Sequence, residues 1–308
     1  MRILDLFSGI GGFHVAKPEG WSVVLSCEWD KYASRTYALN FPDTLQFGDV
    51  TTLVDVPDHD ILTAGFPCQS FSIAGKQEGF NHPTQGTLFF DILRIIALKR
   101  PKAFVLENVP NLKAHDNGKT FEVILSALKA TGYSVHYTVL DSSEFGVAQN
   151  RKRIYIVGFR DTSAEGFSVV GSQKCSGFSH ILENAPEKYF MTNLESPSVQ
   201  KMLDGVKDAG FFYQYRRYYM RKNESGLCPT LTANMGSGGH NVPLFLDAGR
   251  VRKLTPRECL RLQGFPESFK VPEGLADSHI YKQAGNSVSV PVIRAIYKEI
   301  EKCLNEHF

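Results

Sequence analysis

Residues 3–12, ILDLFSGIGG, decide the fold of this chain. The run is mainly apolar up to Phe7 and then rich in glycine, which predicts a buried strand that enters a glycine-rich turn. Short apolar runs continue to alternate with helical patterns up to about residue 160. Such alternation is typical of a doubly wound α/β sheet. We therefore expect an α/β domain over residues 1–160.

The remaining chain divides into two further parts. Residues 161–250 are rich in Gly, Ser, Asn, Pro and Tyr with little periodicity, and predict a smaller, loop-rich second domain. This region either carries recognition, as loop-rich modules often do, or is an insertion without function. Helical signal returns at Thr255-Pro256-Arg257-Glu258, a capping-box pattern. The apolar stripe of the last helix, about 289–304, predicts that residues 251–308 return to the first domain.

Composition restricts the class of protein. The 308 residues are 43% hydrophobic and 21% charged with a net charge of +2, which is ordinary for a globular protein. Nucleic-acid binding must then come from a local patch, and the densest is Arg216, Arg217, Arg221 and Lys222 among tyrosines. The alternative is a solvated surface. Six scattered cysteines without a C-x-x-C pair disfavour zinc and disulfide frameworks, so no metal is expected. With no signal peptide or membrane-length apolar run, we expect a cytoplasmic protein.

The first half of the chain carries a nucleoside-binding pattern. Gly9 and Gly11 allow a ligand to approach the backbone closely, and Glu28 follows the second strand, where a carboxylate can accept both hydroxyls of a ribose. Asp49 follows the next short strand and can accept a hydrogen bond from an adenine amino group. No G-x-G-x-x-G enters a long helix, which favours an adenosyl ligand without pyrophosphate, S-adenosylmethionine. The alternative is a structural turn with two surface carboxylates.

A second group of residues indicates covalent chemistry. In GFPCQSFS (65–72), Cys68 follows a proline at the exit of a buried strand, which suits a nucleophile, although most free cysteines are small buried hydrophobes. Glu107 follows another strand, and a carboxyl there points into the ligand crevice. QNRKR (149–153) supplies cations that could lower the thiol pKa or bind phosphate, or that form a solvated strand end.

Taken together, these segments resemble the DNA cytosine-5 methyltransferases of bacterial restriction–modification systems. The matching segments occur in the family's order: DLFSGIGGF (5–13), CEWD (27–30), GDV (48–50), GFPCQSFS (65–72), ENV (107–109), QNRKRIYIVG (149–158), RKLTPRECLRLQGFP (252–266) and QAGNSVSVPV (283–292). The resemblance covers residues 1–160 and 250–308 and is loose between them. It implies a Rossmann-like S-adenosylmethionine-dependent methyltransferase sheet with a smaller target-recognition domain.

The resemblance also implies roles for individual residues. Cys68 would add to cytosine C6, Glu107 would contact N3 and the 4-amino group, and Arg153 with Arg151 would bind near O2 and the phosphate. Residues 69–86, with Ser72 and glycines 75, 79 and 86, match a loop that closes over DNA. The implied cofactor contacts are Phe7, Gly9, Gly11, Glu28, Trp29, Asp49, Val50, Pro67, Leu88, Asn286 and Ser287. The candidate DNA contacts are Arg216, Arg217, Arg221, Thr230, Thr232 and the loop 236–240.

The implied substrate is a cytosine flipped out of a short site in double-stranded DNA, and the implied state is a monomer, with or without a functionally paired restriction endonuclease. Three alternatives compete with this interpretation. A transfer-RNA cytosine-5 methyltransferase shares this catalytic set but would carry a Cys-Phe-Thr motif that this sequence lacks. A catalytically inactive homologue would lack Cys68, Glu107 or the glycine turn. A small-molecule methyltransferase would need neither the cysteine nor residues 161–250.

Overall fold

The structure, a computed structural model, describes residues 1–67, 88–161, 164–175, 177–192, 196–217 and 219–305. Within these ranges the largest element is a seven-stranded sheet. Its strands are β1 (Arg2–Leu6), β2 (Ser22–Cys27), β3 (Leu45–Phe47), β4 (Ile61–Gly65), β5 (Ala103–Asn108), β6 (Ser134–Asp141) and β8 (Lys152–Phe159), and the short strand β7 (Gln149–Asn150) lies outside it. The spatial order is β3-β2-β1-β4-β5-β8-β6.

The topology of this sheet confirms the predicted doubly wound fold. Strand β1 pairs in parallel with both β2 and β4, and β4 pairs in parallel with β5. Strand β8 is antiparallel to its neighbours β5 and β6. The chain runs outward from β1 to β3 and then returns to β4, so the order reverses between β1 and β4. Ligands bind at the carboxyl ends of strands at such a reversal point.

Helices cover both faces of the sheet. The helices of the described residues are α1 (Gly12–Ala16), α2 (Lys31–Asn40), α3 (Leu88–Lys99), α4 (Lys119–Ala130), α5 (Pro197–Gly205), α6 (Pro256–Arg261), α7 (Asp277–Asn286) and α8 (Val290–Asn305), of which α5 packs in the middle of the chain and not on this sheet. Alternate strand residues point to opposite faces, so Leu4 and Phe104 pack with apolar side chains of α3 and α4. Ile3 and Val105 pack on the other face with α1 and α8. Two apolar layers therefore enclose the sheet.

Local sequence signals explain where several helices begin and end. Asp30 caps α2, because its carboxylate accepts hydrogen bonds from the backbone N–H groups of Tyr32 and Ala33. Helix α1 has only five residues, since the chain turns away at Lys17 just before Pro18. Thr255 begins α6 with the predicted capping box, in which Glu258 closes the reciprocal hydrogen bond.

The middle of the chain contains a small antiparallel sheet that the sequence did not predict. Its strands are β9 (Tyr213–Arg216), β10 (Tyr219–Lys222), β12 (Leu244–Asp247) and β13 (Arg250–Lys253), in the order β10-β9-β12-β13. Each strand has only four residues, too few for an alternating pattern to stand out from the polar loops. The division at residues 160 and 250 stays a prediction.

A short two-stranded sheet connects the middle of the chain to the segment just before β8 of the large sheet. Strand β11 (Cys228–Pro229) pairs in parallel with β7. The aromatic rings of Phe178, Phe212 and Phe245 contact one another in tilted and edge-to-face arrangements and belong to the same apolar cluster as α8. The middle segment is therefore packed on the large core. In the described part of the chain, no helix is long and apolar enough to cross a membrane.

Candidate active site

The glycine turn lies at the carboxyl end of β1 and adopts backbone conformations that favour glycine. Gly9 and Gly11 have φ of 56° and 88°, and Phe7 also has a positive φ of 54°. A Cβ at Gly9 would meet no atom within 4 Å, so this backbone faces open space. A Cβ at Gly11 would lie 2.5 Å from Phe41 Cε2. The turn is therefore open to a ligand on one side and closely packed on the other.

Glu28 connects the glycine turn to the next strand. One carboxylate oxygen accepts a hydrogen bond from the Gly9 N–H at 2.8 Å, and the other accepts from the Asp30 N–H at 2.7 Å. Burial raises the pKa of Glu28 above its usual range. The neighbouring Trp29 side chain is 81% exposed. A carboxylate and an exposed aromatic ring thus stand together beside the open face of Gly9.

Two other segments border the same region. The Asp49 carboxylate accepts from the backbone N–H and the hydroxyl of Thr51, and so caps the turn in which Val50 is buried. A Cβ at Gly48 would meet nothing within 4 Å. At the end of α7, Ser287 packs against the glycine turn, because a Cβ at Gly12 would lie 2.8 Å from Ser287 Oγ.

This arrangement fits an adenosyl group. It offers open backbone at Gly9 and Gly48, a carboxylate at Glu28 and an exposed ring at Trp29, which is the donor and acceptor set that a ribose and a purine require. The Ser8 hydroxyl is buried without a hydrogen-bond partner among the described residues. Pro67 and Asn286 are exposed and Leu88 is partly buried at the start of α3.

The chemical residues lie two strands away from the glycine turn. Glu107, near the end of β5, forms an ion pair with Arg153, near the start of β8, with Arg153 Nε 3.0 Å from a carboxylate oxygen. Their side chains are 11% and 14% exposed. A Cβ at Gly65 would lie 3.6 Å from the other Glu107 oxygen. The carboxylate is thus beside the end of β4, three residues before Cys68. Cys68, Ser72 and the loop 69–86 lie outside the described residues.

Asn108 is a residue whose contribution sequence reasoning missed. Its side-chain amide donates a hydrogen bond to the Phe66 carbonyl at 2.9 Å, and its carbonyl oxygen accepts from the Val109 N–H. The side chain is buried. Asn108 therefore fixes the backbone that leads into Pro67 and Cys68. The signal was its position beside Glu107 at the end of a strand.

Asp5 was also missed, although it interrupts the apolar run of β1. It is fully buried and accepts a hydrogen bond from the Thr63 hydroxyl at 2.7 Å. Its second oxygen has no hydrogen-bond partner in the described chain. Burial raises the pKa of Asp5 from 3.8 to about 7. A carboxyl that holds its proton near neutral pH therefore lies beneath the glycine turn.

Arg151 is buried and held by main-chain carbonyls. Its guanidinium donates hydrogen bonds to the carbonyls of Leu231, Gly285 and Ser287 at 2.7 to 3.0 Å, and its Nε is buried without a hydrogen-bond partner among the described residues. The charges of Arg153 and Glu107 act on this guanidinium. The contacts of Arg151 and Arg153 near O2 and the phosphate stay predictions.

The candidate DNA contacts fall into two groups. Arg217 and Arg221 are exposed on the β9–β10 hairpin, where Arg216 donates to the Gln214 side chain. Thr230 and Thr232 flank Leu231 near β11, and Thr230 donates to the Asn150 carbonyl at 2.7 Å. Within the loop 236–240, Gly236 packs against Ser278 of α7. Across the described ranges, no cluster of His, Cys, Asp and Glu is arranged to hold a metal ion.

The fold is shared with solved methyltransferases. A DNMT2 mutant from Spodoptera frugiperda aligns with a TM-score of 0.76 at 20% identity, over 97% of this chain and 99% of that one. The S. pombe Dnmt2 methyltransferase aligns with a TM-score of 0.76 at 21% identity, over 99% of both chains. At these identities the likeness shows the fold alone. It defines the class of the fold, a Rossmann-like α/β sheet.

Sequence comparison narrows the class to a family. The model of the family described as C-5 cytosine-specific DNA methylase matches residues 1–302. The chain is 44% identical to the Type II methyltransferase M.Bsp6I of Bacillus sp. (strain RFL6), over 99% of both proteins. It is 39% identical to the Type II methyltransferase M.HhaI of Haemophilus parahaemolyticus, over 99% of this chain and 95% of that protein. The chain belongs to the C-5 cytosine-specific DNA methylase family, and it is an enzyme of that type.

Proposed function

We propose that this protein transfers a methyl group from S-adenosylmethionine to C5 of a cytosine flipped out of a short, specific site in double-stranded DNA. The observation that carries the proposal is the placement of two groups of residues at one edge of the sheet. The glycine turn follows β1 and is hydrogen-bonded to Glu28, and the Glu107–Arg153 pair, two strands away, lies beside the end of β4, the strand that leads to Cys68. A methyl donor and a reacting base can therefore share one crevice.

In this proposal the cofactor is held by residues around the glycine turn. Glu28 binds the ribose hydroxyls, Trp29 packs on the adenine and Asp49 accepts from its amino group. The remaining proposed contacts are Phe7, Gly9, Gly11, Val50, Pro67, Leu88, Asn286 and Ser287. When bound, S-adenosylmethionine supplies the methyl group as an electrophile.

The protein's own groups then make cytosine C5 nucleophilic. The Cys68 thiolate adds to C6, while Glu107 supports a protonated N3 and Arg153 near O2 stabilises the negative charge that develops in the ring. C5 takes the methyl group, a base removes the C5 proton, and the C6–sulfur bond breaks to restore the ring and the thiolate. Arg151, by contrast, is assigned to positioning, since its guanidinium is bound to main-chain carbonyls.

DNA binding is assigned to residues 161–250 and to the loop 69–86. A base must leave the stack to reach Cys68, which costs a few kcal/mol that pocket and backbone contacts recover. The exposed Arg217 and Arg221, with Arg216, suit phosphate contacts, and Thr230, Thr232 and the loop 236–240 suit contacts to base edges. Ser72 is proposed to contact DNA from the closing loop.

The cellular setting is proposed from the relatives. Those with at least 39% identity over nearly the whole chain carry the name Type II methyltransferase, which supports a role as the modification enzyme of a restriction–modification system. A functionally paired endonuclease, a monomeric state and a cytoplasmic location belong to the same proposal.

The test is bisulfite sequencing of unmethylated duplex DNA of mixed sequence after incubation with the protein and S-adenosylmethionine. Protected cytosines within one short motif, absent with Cys68→Ser, are expected and would also reveal the recognition site. Cys175→Ser is the matched control, because Cys175 is a free cysteine that the proposal gives no role. Protection on transfer RNA but not on DNA would favour the RNA alternative, and protection on neither would indicate an inactive homologue.

A further inference from the structure

Arg151 is a buried cation without a carboxylate partner in the part of the chain that the structure describes. Its side chain is 2% exposed, and burial is the main reason that its pKa falls to about 9. A buried guanidinium is costly unless hydrogen bonds satisfy it. Here three main-chain carbonyls from two separate segments accept from the two terminal nitrogens, while Nε has no hydrogen-bond partner among the described residues. The guanidinium thus joins those two segments through its hydrogen bonds.

The first of these segments leads into the proposed recognition residues. Arg151 donates to the Leu231 carbonyl at 3.0 Å, and the side-chain oxygen of Gln149 accepts from the Leu231 N–H at 2.9 Å. The N–H and the carbonyl of Leu231 are therefore both hydrogen-bonded to side chains of residues 149–153. Thr230 and Thr232, candidates for base contact, lie immediately on either side of Leu231.

The second segment is the end of α7, which lies against the glycine turn. Arg151 donates to the carbonyls of Gly285 and Ser287 at 3.0 and 2.7 Å. Ser287 Oγ would lie 2.8 Å from a Cβ at Gly12, so this segment is in contact with the turn proposed to hold the cofactor.

The two segments also touch directly. A Cβ at Gly285 would lie 2.3 Å from the Thr232 carbonyl carbon, so the two backbones are closer than any other residue type allows. A displacement of residues 231–232 must therefore move the end of α7 or break the hydrogen bonds of Arg151. Packed contacts of this kind do not deform continuously.

We propose that Arg151 is a positioning residue that couples DNA binding at residues 230–232 to cofactor binding at the glycine turn. Occupation of one site holds the Arg151 hydrogen bonds in place and raises affinity at the other. Such coupling is reciprocal, so it is measurable from either ligand. This inference rests on the proposed function and extends it.

The experiment measures binding of S-adenosylhomocysteine by isothermal titration, with and without a duplex that carries the site found by bisulfite sequencing. For the wild-type protein, the duplex should raise the affinity at least about fivefold. In Arg151→Lys this enhancement should fall below about twofold, because an ammonium keeps the charge but loses the planar fork that reaches both segments. The affinity without DNA is measured in the same variant, and an enhancement that falls by more than this basal affinity separates lost coupling from general destabilisation.

Arg160→Lys is the matched control, since Arg160 pairs with the adjacent Asp161 away from this junction and should keep the full enhancement. If Arg151→Lys does not fold, Gly285→Ala tests the same contact without touching the charge and should also lose the enhancement. The inference would be overturned if DNA raised the affinity of Arg151→Lys as much as that of the wild type. It would also be overturned if DNA did not raise the affinity of the wild-type protein. Methylation of DNA by the wild-type protein tests the proposed function separately.

Discussion

Asp5 gives a prediction about stability whose size follows from its burial. The substitution Asp5→Asn keeps the shape of the carboxyl and the acceptor for the Thr63 hydroxyl, 2.7 Å away. It also replaces an ionisable group with one that stays neutral. In the folded protein the pKa of Asp5 is about 7 rather than 3.8, because burial disfavours the charged form.

The sign follows from proton binding. Between these two pKa values the folded state holds a proton that the unfolded state has lost, so the wild-type protein loses stability as pH rises. Each pKa unit is worth about 1.4 kcal/mol, and the loss flattens above the folded pKa. The contribution of Asp5 should therefore cost the wild type about 3 kcal/mol between pH 5 and pH 8. Asp5→Asn does not carry this cost.

Equilibrium urea unfolding of both proteins at several pH values would measure the difference in the free energy of unfolding. The variant should gain about 3 kcal/mol relative to wild type from pH 5 to pH 8. Asp55→Asn, an exposed aspartate near the start of β4, is the matched control and should show no such trend. If the difference in the free energy of unfolding stayed constant with pH, the argument that the folded protein holds a proton on Asp5 would be refuted.

Three other substitutions test the buried Arg252–Glu258 ion pair, the cofactor site and the catalytic chemistry. Glu258→Leu should lower the free energy of unfolding by about 3 kcal/mol in urea unfolding, because Arg252 is 0% exposed and keeps only Asp247 as an acidic partner. Gly11→Ala should weaken S-adenosylhomocysteine binding at least about tenfold by titration, since φ is 88° and the new Cβ would lie 2.5 Å from an aromatic carbon. Glu107→Gln should slow single-turnover methylation about 10²- to 10⁴-fold while leaving that binding unchanged.

Control variants and contradicting results check these expectations. Gly20→Ala also places an alanine at positive φ, 77°, but in open space, and should leave ligand binding intact; equal losses at both glycines would mean that backbone strain alone is responsible. Glu122→Gln, on the exposed side of α4, should keep full activity. A Glu258→Leu protein as stable as wild type would show that Arg252 needs no acidic partner at that position.

Most of the catalytic half was predictable because its signals are local. The run 3–12 predicted a strand and a glycine turn, and the structure has β1 and positive φ at Gly9 and Gly11. The Asp30 cap and the Thr255–Glu258 capping box depend on residues within four positions of one another. Such local patterns predict the structure correctly because they depend on few other parts of the chain.

The small sheet of β9, β10, β12 and β13 was not predictable in the same way. Its four-residue strands obtain their hydrogen bonds from partners up to about thirty residues away in sequence, and half of their side chains are only partly buried. Neither periodicity nor composition separates such strands from loops.

The sequence by itself determined the doubly wound fold, the family and the residue types offered for chemistry, because strand and helix periodicity and ordered motifs are written along the chain. Only the tertiary structure decided what each ionisable group faces. It paired Glu107 with Arg153, buried Asp5 so that its pKa rises to about 7, and turned Arg151 toward the carbonyls of residues 231, 285 and 287. The physical reason is that burial and hydrogen bonding depend on segments far apart in sequence, which no local pattern brings together.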